Sequence, residues 1–501
     1  MADQPKNQPK NQLFYGDNLE VLRRHIKDES VDLCYIDPPF NSKRNYNQIY
    51  NNIGKEDQAQ AQAFIDTWTW DDIANQGLAE IQENYLGHFT SQSIDLISGL
   101  SKVLGKGSLL AYLVSMTLRI AEIYRVLKPT GSFYLHCDPS ASHYLKLILD
   151  SIFCAQSGDF LNEIVWCYRG GGAPKTDFGR RHDVIFRYSK TKTYKFNADA
   201  IRIPYQAEGI GRKDDAMWGK HKGTNKVYKP NPLGKIPEDW WLMNVLNAND
   251  PERLGYPTQK PAALLERIIH ASSDEGDVIL DAYCGCGTTV AVSQRWNRQW
   301  IGIDITYQSI SLILRRLEDT FGKGVLENIT LNGIPKDMKS AEALANKSDD
   351  RTRKEFEKWA VLTYSNNRAT INQKKGADKG IDGIAYFRSE KDDPEKIILQ
   401  VKSGKVSSRD IRDLQGTITR ESATLGIFIT LQKPTKDMIK EAKEAGIYKS
   451  QYMNAPVDTI RIVTVQEIIE EQKRLDILLA LEVLKSAEKQ MEVKQGSLDL
   501  E

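Results

Sequence analysis

A chain of 501 residues exceeds what one hydrophobic core usually supports, so two or three domains are expected. A formal net charge of +1 excludes a globally basic, nucleic-acid-coating protein, so any such surface must be local. The polar start lacks the apolar stretch of a secretory signal, no apolar run is long enough to span a bilayer, and six irregularly spaced cysteines suit reduced thiols better than a disulfide framework; together these point to a cytoplasmic protein with no membrane partner.

Residues 1–11 read as a disordered tail. Residues 13–15 predict a short strand ending at Gly16-Asp17, and residues 19–26 a helix. The apolar run 31–36 predicts a second strand, stopped by Asp37-Pro38-Pro39-Phe40. Each proline fixes φ and removes a backbone donor, which leaves a carboxylate, free carbonyls and an aromatic ring at a strand end. Such an acceptor beside a flat ring suits a planar base that bears an amino group. Residues 41–77 are rich in Asn and Gln, with Trp68 and Trp70 near the end, and read as a long loop with short helices. Residues 96–127 predict one helix, Lys128-Pro129-Thr130-Gly131 a turn, 132–136 a strand, 143–153 a helix, and 163–168 and 183–188 two further strands.

From about residue 194 to 249 periodicity fades. Aromatic residues are scattered among Lys and Arg, and Arg169, Lys175, Arg180, Arg181, Arg187, Lys213, Lys220, Lys222, Lys226 and Lys229 make this the most basic region of the first domain. Regular α/β structure resumes with a helix at 262–272, a strand at 278–280, a helix at 289–296, a strand at 300–304 and a helix at 309–321. Between them Asp281-Ala282-Tyr283-Cys284-Gly285-Cys286-Gly287 follows an apolar strand and opens a helix, where glycines let the backbone approach a ligand. The third glycine of a dinucleotide fingerprint is missing, and Asp304 ends the next strand in a position to accept from ribose hydroxyls. A nucleoside cofactor without phosphates fits better than NAD. Cys284 and Cys286, with no second pair, make a poor zinc site and read as small turn residues.

Residues 335–350 read as a polar, irregular linker. Beyond it, helices at 353–362, 409–421 and 435–445 alternate with strands at 383–387, 397–401 and 425–431, a separate small α/β unit, followed by a charged helical tail from about 466.

Gly16-Asp17, Asp37-Pro38-Pro39-Phe40, Tyr256-Pro257-Thr258-Gln259-Lys260-Pro261, the glycine loop from Asp281, and Gly302-Ile303-Asp304 occur in an order that resembles the β-class amino-methyltransferases of DNA, similar to type III modification subunits. The resemblance covers roughly residues 13–321 within a domain of 12–334. It implies a Rossmann-like sheet with helices on both faces and S-adenosylmethionine as cofactor. Asp281, Tyr283, Gly285 and Gly287 would line its methionine part, Asp304 would hold its ribose and Asp17 its adenine amino group, with Thr258 and Lys260 flanking it. The substrate would be double-stranded DNA with its target base extruded. Phe40 would stack on that base, and Asp37 with the Pro38 carbonyl would accept from its amine, the turn being completed by Pro39. The Asp-Pro-Pro-Phe form implies adenine N6 as target, with cytosine N4 as the alternative, and residues 169–250 occupy the place of target recognition.

In the second unit, Gly376-Ala377-Asp378-Lys379-Gly380-Ile381-Asp382-Gly383 precedes one strand, and alternation puts Gln400 and Lys402 on one face of the next. Roughly residues 354–431, within a domain of 351–465, resemble the Mrr-type branch of the PD-(D/E)xK nucleases, a smaller restriction-endonuclease-like α/β fold. That resemblance implies Asp382 as a Mg²⁺ ligand, Lys402 as the group that orients water, and Glu355 or Glu357 as a further ligand. Gln400 departs from the superfamily's usual acid. Linked DNA cleavage, DNA binding alone and a non-catalytic sensor all stay open, as does the oligomeric state, a homodimer included.

Overall fold

Strands that run apolar and then stop at a carboxylate set the architecture. The computed structural model describes residues 11–39, 44–49, 60–66, 68–170, 175–205, 231–247, 249–256, 258–346, 350–372, 380–387, 394–449 and 456–477. The chain begins with β1 (Asn11–Tyr15), α1 (Asn18–His25) and β2 (Val31–Ile36), every residue of β2 being buried. Where a loop with short helices is expected, the chain instead forms an antiparallel hairpin, β3 (Arg44–Ile49) and β4 (Gln60–Asp66), then α2 (Asp72–Glu83). The expected single helix at 96–127 is two, α3 (Ser91–Leu104) and α4 (Ser108–Val126), because Gly105 adopts positive φ and breaks the ladder.

β5 (Leu127–Cys137) absorbs the expected Lys-Pro-Thr-Gly turn as a bulge. Val31 pairs with Leu127 but Leu33 with Ser132, so three extra residues loop out of the register. After α5 (Ser142–Leu149) and a π-helical turn come β6 (Asp159–Cys167), β7 (His182–Ser189) and the short β8 (Trp240–Leu242). Then follow α6 (Ala262–Ser272), β9 (Val278–Asp281), α7 (Thr288–Arg295), β10 (Gln299–Asp304), α8 (Tyr307–Phe321) and β11 (Ile329–Asn332). The sheet order is β11-β1-β10-β9-β2-β5-β7-β6-β8, parallel from β11 through β5, with β7 antiparallel to both neighbours. Helices cover both faces: α1 and α4 pack with Leu22, Ile36 and Ile120 on one, α6 with Leu33, Tyr35 and Ile185 on the other.

The stretch expected as an irregular linker carries a helix, α9 (Met338–Ala345), started by a reciprocal cap between Asp337 and Ser340. The second unit runs α10 (Asp350–Tyr364), β12 (Thr370–Ile371), β13 (Gly383–Phe387), β14 (Glu395–Lys402), α11 (Ser408–Arg420), β15 (Leu425–Thr430), α12 (Lys436–Glu444), β16 (Ile447–Tyr448), β17 (Val457–Asp458), β18 (Ile460–Thr464) and α13 (Val465–Glu470). Its sheet order is β12-β13-β14-β15-β18. α10 packs Phe356 and Trp359 in one continuous apolar cluster with Leu399 and Val401 of β14 and with Trp300, Tyr307 and Ile313 of the first unit. Ile398 and Phe428, on the opposite face, pack with α11 and α12.

Candidate active site

The parallel strands bring four acids to one edge. β1, β10, β9 and β2 lie side by side in that order, and at their carboxyl ends stand Asp17, Asp304, Asp281 and Asp37. Open α/β sheets bind ligands there, and here a cleft of about 740 Å³ opens. It is lined by all four acids, by Pro38, Pro39, Thr258, Lys260, Tyr283 and Gly285, and by Trp68 and Arg119. These include most of the residues singled out from sequence. Phe40 and Pro257 lie outside the described residues.

Asp37 is the pivot. Lys260 Nζ pairs with its Oδ2, while Oδ1 is buried and has no hydrogen-bond partner. Expected beside the cofactor, Lys260 thus holds the turn's carboxylate directly. Its own segment is anchored: Gln259 Nε2 donates to the Glu252 carbonyl at 2.7 Å, Glu252 Oε1 accepts from Ala262 N at 2.8 Å, and Arg316 lies 3.6 Å from the same carboxylate.

Asp281 is only 4% exposed. Burial pushes its carboxyl up to about 7 against the hydrogen bonds of Thr289 and the Tyr283 amide, helped by the charges of Asp37 and Asp304. Asp304 is pushed by burial to about 6, although its Oδ1 accepts from Thr306 N at 2.9 Å and its Oδ2 from Gly285 N at 3.0 Å. Two acids, one buried and one half-buried, that resist ionising together mark a site short of positive charge. Asp17 is spoken for locally: Oδ1 caps α1 through Leu19 N, and Oδ2 takes Arg119 at 2.9 Å.

The glycine loop needs its glycines for different reasons. Gly285 has φ +48 and faces Tyr256, so it keeps the cleft wall flat. Gly287, expected to line the cofactor, is not among the cleft-lining residues. At φ +73 it turns the chain into α7, and a Cβ there would lie 2.7 Å from Ile313 Cγ1.

Several participants escaped the sequence reading. Arg119, in mid-α4, orders Asp17 and also donates to Asn18 Oδ1 at 2.6 Å. Its only signal is a cation on the mostly apolar helix α4. Trp68 contributes a buried Nε1 without a partner at the cleft. Tyr35, His136 and Asp183, from three different strands, form a buried hydrogen-bonded chain below Asp37.

The basic segment separates. Arg169, Lys175, Arg180 and Arg181 are exposed around the β6–β7 connection. Arg187, grouped with them by sequence, is instead buried in β7 beneath Phe196, Tyr194 and Tyr134, with its guanidinium 4.7 Å from the Phe196 centroid. β7 is buried on both faces from Val184 to Ser189, so the Arg187 guanidinium does not reach a surface that a phosphate could touch. Lys213, Lys220, Lys222, Lys226 and Lys229 lie outside the described residues.

In the second unit Asp382 Oδ2 accepts from Val401 N at 2.6 Å, Gln400 is 5% exposed with Oε1 unpartnered, and Lys402 at the strand end is exposed. Glu357 sits half-buried on α10, which covers the Leu399–Val401 face rather than the Gln400 face. Glu355, the other acid considered, accepts from the Tyr307 amide at 3.1 Å and from Lys358 at 2.6 Å, so it ties the two units together. Among the described residues no three His, Cys, Asp or Glu side chains gather to hold a metal. Residues 376–379 lie outside the described residues.

Residues 31–315 match the family model of the DNA methylases, more than half of the chain. The chain belongs to the DNA methylase family. Residues 349–469 of this methylase match a restriction endonuclease model. Its relatives include the type II methyltransferase M.HpaI of Haemophilus parainfluenzae, 34% identical over 40% of this chain and 58% of that one. The DNA adenine methyltransferase YhdJ of Escherichia coli K12 is 29% identical over 61% of this chain and 82% of its own length. The type II methyltransferase M.ScaI of Streptomyces caespitosus is 31% identical over 61% and 81%. Among the described residues no helix is long and apolar enough to cross a membrane.

Proposed function

We propose that this methylase transfers a methyl group from S-adenosylmethionine to the exocyclic amine of a base flipped out of double-stranded DNA, with adenine N6 as the target. The observation that carries the reading is Asp37 Oδ1, a buried carboxylate oxygen left without a partner at the wall of the cleft. A buried acceptor costs about 1–3 kcal/mol when unpaired, so the fold keeps it for a donor that arrives.

The cleft fits the cofactor. Its volume lies in the range of ligand sites, Gly285 leaves the loop wall open, and Asp281 and Asp304 call for positive charge. S-adenosylmethionine supplies that charge and an electrophilic methyl group on its sulfonium. The chain's own residues then do the positioning. Lys260 fixes Asp37 Oδ2, so that Oδ1 and the Pro38 carbonyl can accept from the target amine and draw its lone pair out of conjugation. Flipping a base costs a few kcal/mol, and stacking on an aromatic ring returns ~1–3 kcal/mol; Phe40, next in the chain, is the ring the sequence supplies for it. In-line transfer needs little more than alignment and a negative field, and the cysteines take no part.

Adenine is favoured by the Asp-Pro-Pro-Phe turn and by a relative named as a DNA adenine methyltransferase. The second unit is proposed to engage the same DNA. One carboxylate and a neutral amide make a weak Mg²⁺ site, so no cleavage step is derived through that ion. The test is to express the chain in a methylation-free host, sequence its DNA with a base-modification readout, and incubate purified protein with unmodified DNA and Mg²⁺. N6-methyladenine at one motif is expected, and it falls by about 10²–10³-fold in rate in Asp37→Asn while cofactor binding persists. Methyl groups on cytosine N4 would move the target, and full transfer by Asp37→Asn would end the assignment. Nicking that needs Mg²⁺ and Lys402 assigns cleavage to the second sheet.

A further inference from the structure

Under the Asp37 turn runs a polar chain that the transfer described above does not use. Tyr35, two residues before Asp37 on β2, lines the cleft, and its hydroxyl lies 2.9 Å from Nδ1 of His136 on β5. Nε2 of His136 lies 3.2 Å from Oδ2 of Asp183 on β7, and Tyr168 donates to the other oxygen, Oδ1, at 3.3 Å. The pairing explains the alignment: Ile36 is opposite Leu135 and His136 opposite Ile185, so Tyr35, His136 and Asp183 share one face across three neighbouring strands. Tyr35 and His136 are buried. Apolar side chains would fill this space without the desolvation that polar ones carry, so cohesion alone does not account for the trio.

The donors run in one direction. Burial raises the Asp183 carboxyl, but the His136 hydrogen bond and the nearby Lys260 outweigh it and hold it below the usual carboxylate range. An ionised carboxylate only accepts, so Nε2 of His136 carries a proton and Nδ1 accepts from Tyr35. This is the order of a base oriented by an acid. Trp166 of β6 stands edge-on to the imidazole, and near the trio lie Asp37 just after β2, Cys137 at the end of β5 with Asp138 after it, Glu163 of β6, Tyr168 just beyond β6, and Lys260 ahead of α6.

We propose that Tyr35, His136 and Asp183 form the proton outlet of the methyl-transfer site, an assignment that rests on the function proposed above. As the amine nitrogen gains its C–N bond, the sulfonium loses its S–C bond and its charge, and the nitrogen must shed one N–H proton. The Tyr35 oxygen takes that proton while its own passes to His136 Nδ1. The imidazolium is then held by Asp183, whose side chain is 15% exposed and opens the way to solvent. No further reactant is needed.

The experiment uses the full chain, unmodified DNA from a methylation-free host and S-adenosylmethionine labelled in its methyl group, with rates read across the neutral pH range in H₂O and D₂O. In wild type transfer is expected to be slower in D₂O, because the proton moves through two exchangeable sites. Tyr35→Phe and His136→Gln are expected to lower kcat by about tenfold or more, leave KM for DNA and cofactor unchanged, and erase the solvent isotope effect. Wild-type kcat in both variants, or a lowered kcat with the isotope effect intact, overturns the relay. If His136→Gln melts early, Tyr35→Phe, which removes a single oxygen, decides. A wild type that transfers no methyl overturns function and relay together, whereas an active wild type with indifferent variants overturns the relay alone.

Discussion

Asp281 shows how one buried acid can make ligand binding pH-dependent. Its carboxyl titrates at about 7 in the folded chain, against 3.8 for the unperturbed group. Below about 3.8 it is protonated in both folded and unfolded chains. Between 3.8 and about 7 the unfolded chain ionises first, so the empty fold loses stability as pH rises through this window. A bound cation reverses the preference: it favours the carboxylate, and the site must release a proton to bind below neutrality. Affinity for S-adenosylmethionine is therefore expected to rise with pH and level off near 7. Calorimetry at pH ~6 in buffers of different ionisation enthalpy should show net proton release, and Asp281→Asn should weaken binding and flatten the profile. A profile unchanged in Asp281→Asn would place the titrating group elsewhere, with Asp304 the next candidate at about 6.

The glycine loop between β9 and α7 separates stability from binding at the level of one element. Gly287 needs its positive φ and abuts Ile313 of α8 at 2.7 Å through any added Cβ. Gly287→Ala should thus cost roughly 2–3 kcal/mol of stability, read as a lower melting temperature. Gly285 also has positive φ, +48, but it lines the cleft, where an added Cβ would lie 3.2 Å from the Tyr256 ring. Gly285→Ala should weaken cofactor binding more than it lowers the melt, and equal effects would deny the division. This loop was legible because its cues are local: an apolar strand, an acid, then glycines. The same holds for Val31–Ile36 stopped by two prolines. What escaped lacks such cues. The β3–β4 hairpin is built from Asn- and Gln-rich segments with little apolar alternation. The α3–α4 break did have a signal, Gly105-Lys106-Gly107, that the apolar run around it masked, and α9 had the Asp337–Ser340 cap. The Tyr35–His136–Asp183 chain joins residues up to 148 positions apart (183 − 35), which only strand pairing brings together.

For the whole molecule the decisive feature is the seam between the units. Thr306 caps α8 and binds Asp304 Oδ1 at the cleft; the next residue, Tyr307, gives its amide to Glu355 of α10 and its hydroxyl lies 3.1 Å from Thr363. Trp300, Ile310 and Leu317 of the first unit share one apolar cluster with Phe356, Trp359 and Val401 of the second. A ligand that steadies Asp304 and the start of α8 therefore also steadies the support of β14, the strand that carries Gln400 and Lys402. A ligand at 100 times its Kd stabilises what it binds by about 2.7 kcal/mol, and a shared core should spread that gain over both sheets. Thermal unfolding is expected to show one transition that S-adenosylmethionine raises as a whole, with slower amide exchange in β14 and β15 as well as around the cleft. Glu355→Ala leaves the Tyr307 amide without its buried acceptor, at about 1–3 kcal/mol, and should split the melt so that cofactor moves only its first-unit component. Two transitions already in wild type, or exchange protection confined to the cofactor cleft, would mean that the seam transmits nothing and that the second sheet answers to DNA alone.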